Sequence, residues 1–345
     1  MKTEKFNTRV GEVTWVTMTN ASEATAVVST LGAGIVSVVV PDKNGKMADV
    51  CLGYDDPANY MADGPCFGKC PGRYANRIAK GHLEIDGKVY SLPINNGPNH
   101  LHGGPKGFQN QIWTIEKAED NTVVMSYTAA DGEAGYPGKL KATATYTWTD
   151  NNELQLTLEA ETDAPTVVNL TNHAYWNLGG HNCGTALDQT LWLNATRYLP
   201  TDDTLIPVGV LDAVAGTPMD FTTAKKLGAD IKADFAALVY GKGYDNCFVL
   251  DGYEPSVMNE AAVLTDHVSG RQLTVYTDHP AVQVYTGNWL DGCPVGKDGA
   301  VYHDYDGVAI ECQDFPDAPN KADFPSTRLN PGEHYNRHIT FKFEK

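Results

Sequence analysis

Residues 140–160 read Leu-Lys-Ala-Thr-Ala-Thr-Tyr-Thr-Trp-Thr-Asp-Asn-Asn-Glu-Leu-Gln-Leu-Thr-Leu-Glu-Ala. Leu140, Ala142, Ala144, Tyr146 and Trp148 alternate strictly with polar residues, and Leu154, Leu156, Leu158 and Ala160 do so again. A period of two is the pattern of a strand with one face on a core. The polar run Asp150-Asn151-Asn152 between the two halves supplies turn chemistry, so the stretch predicts a long hairpin. A tighter hairpin is expected at 83–90, where Asp86-Gly87 suits a two-residue turn with positive φ. Short β-branched or aromatic-rich runs recur at 14–19, 26–30, 35–40, 123–127, 262–265, 272–276 and 338–343. Helical periodicity is scarce, and only Thr223 to Ala237 could hold a short helix or two. The expected fold is all-β, a large antiparallel sandwich.

No linker, repeat or low-complexity tract divides the 345 residues, and all-β units often reach such lengths, so one domain over 1–345 is expected. The composition is ordinary for a globular protein, with 42% hydrophobic and 20% charged residues. A formal net charge of −17 repels phosphate backbones and anionic lipid, which argues against nucleic-acid and membrane partners and for a neutral small molecule. The N-terminus lacks the apolar core of a signal peptide, and no run of about eighteen apolar residues occurs, which points to the cytoplasm. The seven scattered cysteines (Cys51, Cys66, Cys70, Cys183, Cys247, Cys293 and Cys312) fit reduced thiols. Cys66 and Cys70 form the one close pair, with no second pair at zinc-finger spacing.

Glycine- and proline-rich stretches around 66–73, 95–108 and 287–304 read as loops, where binding groups sit on a rigid β scaffold. Three polar clusters stand out: Gly72 to Ile78 with Asn99 to Gly104, Asn169 to Asn177, and Ala309 to Pro316, in which Glu311 sits between apolar neighbours at the end of an expected strand. Each has an ordinary structural reading: the histidines bonding loop backbone, Asn172 and Asn177 capping turns, Glu311 pairing with an arginine. His100 and His102, at i and i+2, would share a face of a strand and invite an H-x-H metal reading. That pattern needs a nearby acid, and none follows until Glu116, so no metal is expected. No G-x-S-x-G surrounds any serine, and the glycine-rich loop 132–138 lacks the lysine and following helix of a phosphate site.

The clusters gain meaning together. Asn76-Arg77-Ile78, Leu101-His102-Gly103-Gly104 with Gly107-Phe108, the loop Asp131 to Gly138, Asn169-Leu170-Thr171-Asn172-His173, Gly243-Tyr244-Asp245, Gln283 to Asn288, and Glu311-Cys312-Gln313 with Pro316-Asp317-Ala318 occur in this order. In this the chain resembles the aldose 1-epimerase (galactose mutarotase) family from about Gly32 to the C-terminus. The resemblance implies a cofactor-free exchange of α and β anomers of a free aldose such as galactose or glucose. It implies Glu311 as general base, His173 as general acid and His102 as a supporting histidine. Arg77, Asn76 and Asp245 match residues that hold sugar hydroxyls, and Gln283 a polar contact near the base. Asn246-Cys247 after Asp245 departs from the His-Asn of many members.

The chemistry suits these groups: ring opening takes the proton from the C1 hydroxyl and gives one to the ring oxygen, which needs one base and one acid on opposite sides of the hemiacetal, each within hydrogen-bond reach and tuned near working pH. Desolvation is expected to raise Glu311, and a carboxylate nearby to keep a histidine protonated. Tyr175, Trp176 and Phe108 are candidate aromatic platforms for the sugar, with core packing as the alternative. Two other functions compete. A sugar-binding module without turnover would have no need of a matched acid and base, and a hexose-phosphate 1-epimerase would need a cluster of basic residues near the site. The expected assembly is a monomer or homodimer.

Overall fold

The computed structural model describes residues 1–62 and 64–345. Among these, three antiparallel sheets hold most of the strands. The first has five strands in sequential order, Lys2–Thr8, Gly11–Thr19, Thr25–Ser29, Gly34–Pro41 and Met47–Asp49. The second has nine, in the spatial order Thr114–Glu119, Thr122–Ala129, Leu140–Trp148, Glu153–Thr162, Tyr335–Glu344, Gln272–Thr277, Asn259–Thr265, Thr190–Leu193 and Lys225–Lys226. The third has six, ordered Tyr175–Trp176, Val308–Gln313, Ala281–Tyr285, Asp245–Val249, Arg197–Tyr198 and Asp212–Ala213.

The expected hairpin lies at the centre of the nine-stranded sheet, with Trp148 opposite Leu154, Tyr146 opposite Leu156 and Ala144 opposite Leu158. Its apolar face is buried, and Lys141 and Gln155 point to solvent. The buried face closes one continuous core against both other sheets. Trp148 donates its indole N–H to Ala24 O at 3.0 Å, and Tyr146 its hydroxyl to Ala33 O at 2.7 Å, which fastens the five-stranded sheet. Trp176 packs on Phe341 and Phe343 with ring centroids 5.1 and 5.3 Å apart, which fastens the six-stranded one. The sandwich follows from that shared burial. Asp86 and Gly87 turn the small hairpin with φ of 52° and 77°, as expected.

Of the window Thr223 to Ala237, where a short helix could stand, only the last two residues are helical. Lys225–Lys226 adds the edge strand of the large sheet, and a short helix runs over Ala236–Gly241. No helix among the described residues is long and apolar enough to cross a membrane.

The six-stranded sheet is the one that positions chemistry. Val282, Val284, Ile310, Cys312 and Phe248 point into the core, so the period of two sends Gln283, Tyr285, Glu311, Gln313 and Asp245 to the opposite face. Loops cover that face. All six residues of Val308–Gln313 are buried, polar ones included.

Candidate active site

Glu311 stands in the middle of its strand rather than at its end, directly opposite Gln283. Next in the sheet, Asp245 lies opposite Tyr285. Glu311, Asp245 and Tyr285 form the floor of a cleft of about 550 Å³, whose walls come from Asn76, Arg77, Leu101 and His102 on one side and His173 and Tyr175 on another. The rim carries Asn96, Asp203, Thr204, Leu205, Tyr240 and Trp289.

His173 reaches the floor from a segment without regular structure. Its backbone N–H donates to Lys69 O and its carbonyl accepts from Gly68 N–H. Asn172, one residue earlier, donates from Nδ2 to Gly68 O at 2.6 Å and accepts from Ala174 N–H at 3.0 Å, which stiffens the turn. The imidazole lies face-on to Tyr175, with centroids 5.0 Å apart, and its Nε2 stands 3.4 Å from Glu311 Oε1. Asn172 and Asn177 are structural: Asn177 donates to Gly184 O and Asp306 O.

The opposite wall is set by a crossing of two chain segments, Arg77–Ile78 pairing with His100–Leu101. Asn76 has a φ of 63° and His102 a φ of 52°, left-handed conformations that end the strands and turn His102 inward. His100 and His102 therefore do not share a face. His100 is bonded to Pro93 O and the Tyr136 hydroxyl, both at 2.7 Å, away from the cleft. His102 instead accepts the Asn76 backbone N–H on Nδ1 at 3.0 Å, which places its proton on Nε2. Its ring meets that of His173 edge-on at 5.3 Å.

A polar chain crosses the floor. Gln283 Nε2 donates to Asp245 Oδ1 at 2.6 Å, Arg77 Nη2 lies 3.6 Å from Asp245 Oδ2, and Arg77 Nε donates to Asn96 Oδ1 at 3.1 Å. Burial lifts Glu311 well above the ordinary carboxylate value, aided by the charge of Asp245 and opposed by Arg77. Burial pushes His173 down to about 4, and lowers His102 well below 6.5 with His173, Arg77 and His100 adding to the effect. A nearby carboxylate is expected to keep His173 protonated; burial opposes that charge, and it equally opposes the Glu311 anion that would hold it. Burial thus disfavours the charged form of each group, the Glu311 carboxylate and the His173 imidazolium.

His102, His173 and Glu311 present their nearest donor atoms within 4.8 Å of one another, close enough to raise the question of a metal. The tautomer answers it for His102. With Nδ1 taken by the Asn76 amide, Nε2 carries hydrogen and has no lone pair to give a cation.

All eight residues assigned from the sequence meet here: Glu311, His173, His102, Arg77, Asn76, Asp245 and Tyr175 line the cleft, and Gln283 lies beneath it against Asp245. Phe108 and Trp176 do not. Phe108 packs on Trp113 and Tyr127, and Trp176 on the core phenylalanines. Sequence reasoning missed Tyr285, Asn96, Tyr240 and Trp289, although the same-face spacing from Gln283 to Tyr285 signals the first of them.

A buried acid–base pair under a polar cleft, on the outer face of a β-sandwich sheet, defines a class: an isomerase or lyase of polar small molecules that works by proton transfer. The comparisons are more specific. The sequence profile of the family described as aldose 1-epimerase matches residues 14–342. The chain is 43% identical to a galactose mutarotase of Rattus norvegicus over 312 residues, covering 90% of this chain and 89% of that protein. It is 37% identical to an aldose 1-epimerase of Escherichia coli, covering 90% of each. The solved structure of an aldose epimerase homologue from C. elegans superposes with a TM-score of 0.88 at 33% identity, covering 96% of this chain and 98% of that one. This chain belongs to the aldose 1-epimerase family, and is a carbohydrate isomerase with its fold.

Proposed function

We propose that the protein interconverts the α and β anomers of free aldohexoses, galactose and glucose foremost, with Glu311 as general base and His173 as general acid. The observation that carries this reading is the approach of His173 Nε2 to Glu311 Oε1, 3.4 Å at the base of the cleft. The two oxygens that exchange protons, the C1 hydroxyl and the ring oxygen, are bonded to one carbon. An acid and a base that serve them must therefore converge, as these two do.

Proton accounting supports the pair. Opening the ring removes one proton from the C1 hydroxyl and places one on the ring oxygen, breaking the bond from C1 to that oxygen and leaving a C1 aldehyde. Rotation about the C1–C2 bond then presents the other carbonyl face to the C5 hydroxyl. Closure reverses both transfers, and the site ends with the single proton it began with. Glu311 Oε2 is buried and accepts no hydrogen bond from a described residue, so a sugar hydroxyl that donates to it stabilises the carboxylate and shifts the shared proton to His173. His102, held as an Nε2–H donor, steadies a sugar oxygen, while Arg77, Asn76 and Asp245 hold further hydroxyls. Tyr175 holds the His173 ring.

The charges along the cleft favour a neutral sugar over a phosphorylated one: Asp203 and Asp245 face the guanidinium of Arg77, itself committed to Asn96 and Asp245. Cys51, Cys70, Cys183, Cys247 and Cys312 stand as thiols, which supports a cytoplasmic setting.

The test is polarimetric: freshly dissolved α-D-galactose and α-D-glucose relaxing with and without protein. Wild type is expected to accelerate both, and Glu311→Gln to lose about 10²- to 10⁴-fold in kcat while folding and binding sugar. A Glu311→Gln variant with near-normal kcat removes the base assignment. Folded wild type that binds galactose without accelerating its relaxation would be a binding module.

A further inference from the structure

The strand that carries Glu311 is gripped at two points by the segment that carries His173. At one end, Tyr175 pairs with Ala309, two residues before Glu311, through regular sheet bonding. At the other end the grip is a single side chain. Asn169, fully buried, accepts the Asp314 N–H on Oδ1 at 2.9 Å and donates from Nδ2 toward Asp314 O at 3.4 Å. Asp314 lies three residues after Glu311, and Asn169 four residues before His173. The same Nδ2 donates to Ala75 O at 3.2 Å, the carbonyl just ahead of Asn76 and Arg77.

One amide thus joins three of the chain segments that build the cleft, those of His173, Glu311 and Asn76. The backbone of Asn169 independently bonds the third of them: its N–H donates to Arg73 O, and its carbonyl accepts from Ala75 N–H at 2.7 Å. Deleting the side chain therefore leaves the Asn76 limb attached through the main chain. What is lost is the clamp on Asp314, one of the two ties that set how far His173 stands from Glu311. Asparagine suits the task because it offers an acceptor and two N–H donors from one planar group. An aspartate or leucine of the same size forfeits the donors.

We propose that Asn169 is a positioning residue for the proton-transfer step, fixing the His173 limb against the Glu311 strand. This rests on the reading of His173 and Glu311 as acid and base. A displacement of about 1 Å between reacting groups costs on the order of 10²-fold in rate, so a loosened clamp acts on kcat. Arg77, Asp245 and Asn96 keep their mutual contacts, so sugar binding changes little.

The test compares wild type with Asn169→Ala and Asn169→Ser by polarimetry over a range of galactose concentrations, with the folded fraction measured by circular dichroism. The expected result is a kcat per folded enzyme lower by about 10²-fold for Asn169→Ala, with KM within about threefold of wild type. Asn169→Ser, whose hydroxyl restores one hydrogen bond, should fall between, and it replaces Asn169→Ala if that variant does not fold. A kcat within about twofold of wild type for the folded variant overturns the proposal, as does a rise in KM at unchanged kcat. A merely structural role predicts fewer folded molecules, each with wild-type kcat. Wild type that fails to accelerate mutarotation would instead overturn the functional reading, and this inference with it.

Discussion

The strands Leu140–Trp148 and Val308–Gln313 obey the same alternation, yet they use its second face differently. In the first, Lys141 meets water and the apolar residues alone are buried. In the second, Glu311 and Gln313 are as buried as Ile310 and Cys312, because loops close over the face that a sheet ordinarily gives to solvent. Covering a polar face is costly: the Gln313 amide has the Cys247 thiol, a weak partner, beside it, and Glu311 keeps one bare oxygen. Uncompensated polarity of this kind concentrates where reactivity is wanted, and the same desolvation moves Glu311 and His173 off their ordinary pKa values.

That contrast can be broken at either strand. The largest loss of stability is expected from Trp148→Ala on the hairpin, about 3–5 kcal/mol from lost burial and the vacated volume, read as a lower denaturation midpoint. Its surviving folded molecules should keep wild-type kcat, since Trp148 touches no cleft residue; a fall in kcat would show that the two faces are coupled. Gln313→Lys follows, destabilising by on the order of 3 kcal/mol because the new charge has no water to reach. The identical exchange on the hairpin, Gln155→Lys, should shift stability by no more than about 0.5 kcal/mol, since Gln155 is exposed. Equal effects at 155 and 313 would abolish the distinction.

Between those extremes lies the pH dependence. The folded pKa of Glu311 is raised above its ordinary 4.5, so its favourable contribution is complete below that value and is lost as pH rises through the folded pKa. Melting of Glu311→Gln should therefore gain on wild type as pH increases above 4.5. His173 runs the other way: lowered from 6.5 to about 4, it supports the fold above 6.5 and ceases to do so as pH falls toward 4. His173→Gln should accordingly gain on wild type over that descending range. Parallel melting curves for wild type and both variants would mean that the pair is not desolvated.

The same contrast explains what was legible in the sequence. The hairpin was readable because only one of its faces is buried, which writes the period of two into the residues. Val308–Gln313 is buried on both faces and carries no such contrast, so its extent was misjudged and Glu311 was expected at its end. The candidate site residues came from motif order, and the structure gathers them into one place. Of the candidate platforms, Trp176 takes the alternative of core packing, since neighbours on a strand face opposite ways and Tyr175 has the cleft side. His100 and His102 failed in reverse: the i, i+2 rule holds only while the strand continues, and the left-handed turn at His102 ends it. Rim residues such as Trp289 and Asn96 sit on irregular segments whose path no local pattern specifies.

The hydrogen bond that orients His102 comes from the main chain of Asn76, not from its side chain. The direction in which His102 offers its proton is thus indifferent to which residue occupies position 76, proline excepted, provided the left-handed turn survives. Asparagine and glycine tolerate that turn best. For anyone retailoring which sugars this cleft admits, an exchange at position 76 therefore gives up the Asn76 Oδ1 acceptor for the Arg77 N–H and varies the contact with the ligand, while the histidine's tautomer is inherited from the path of the backbone.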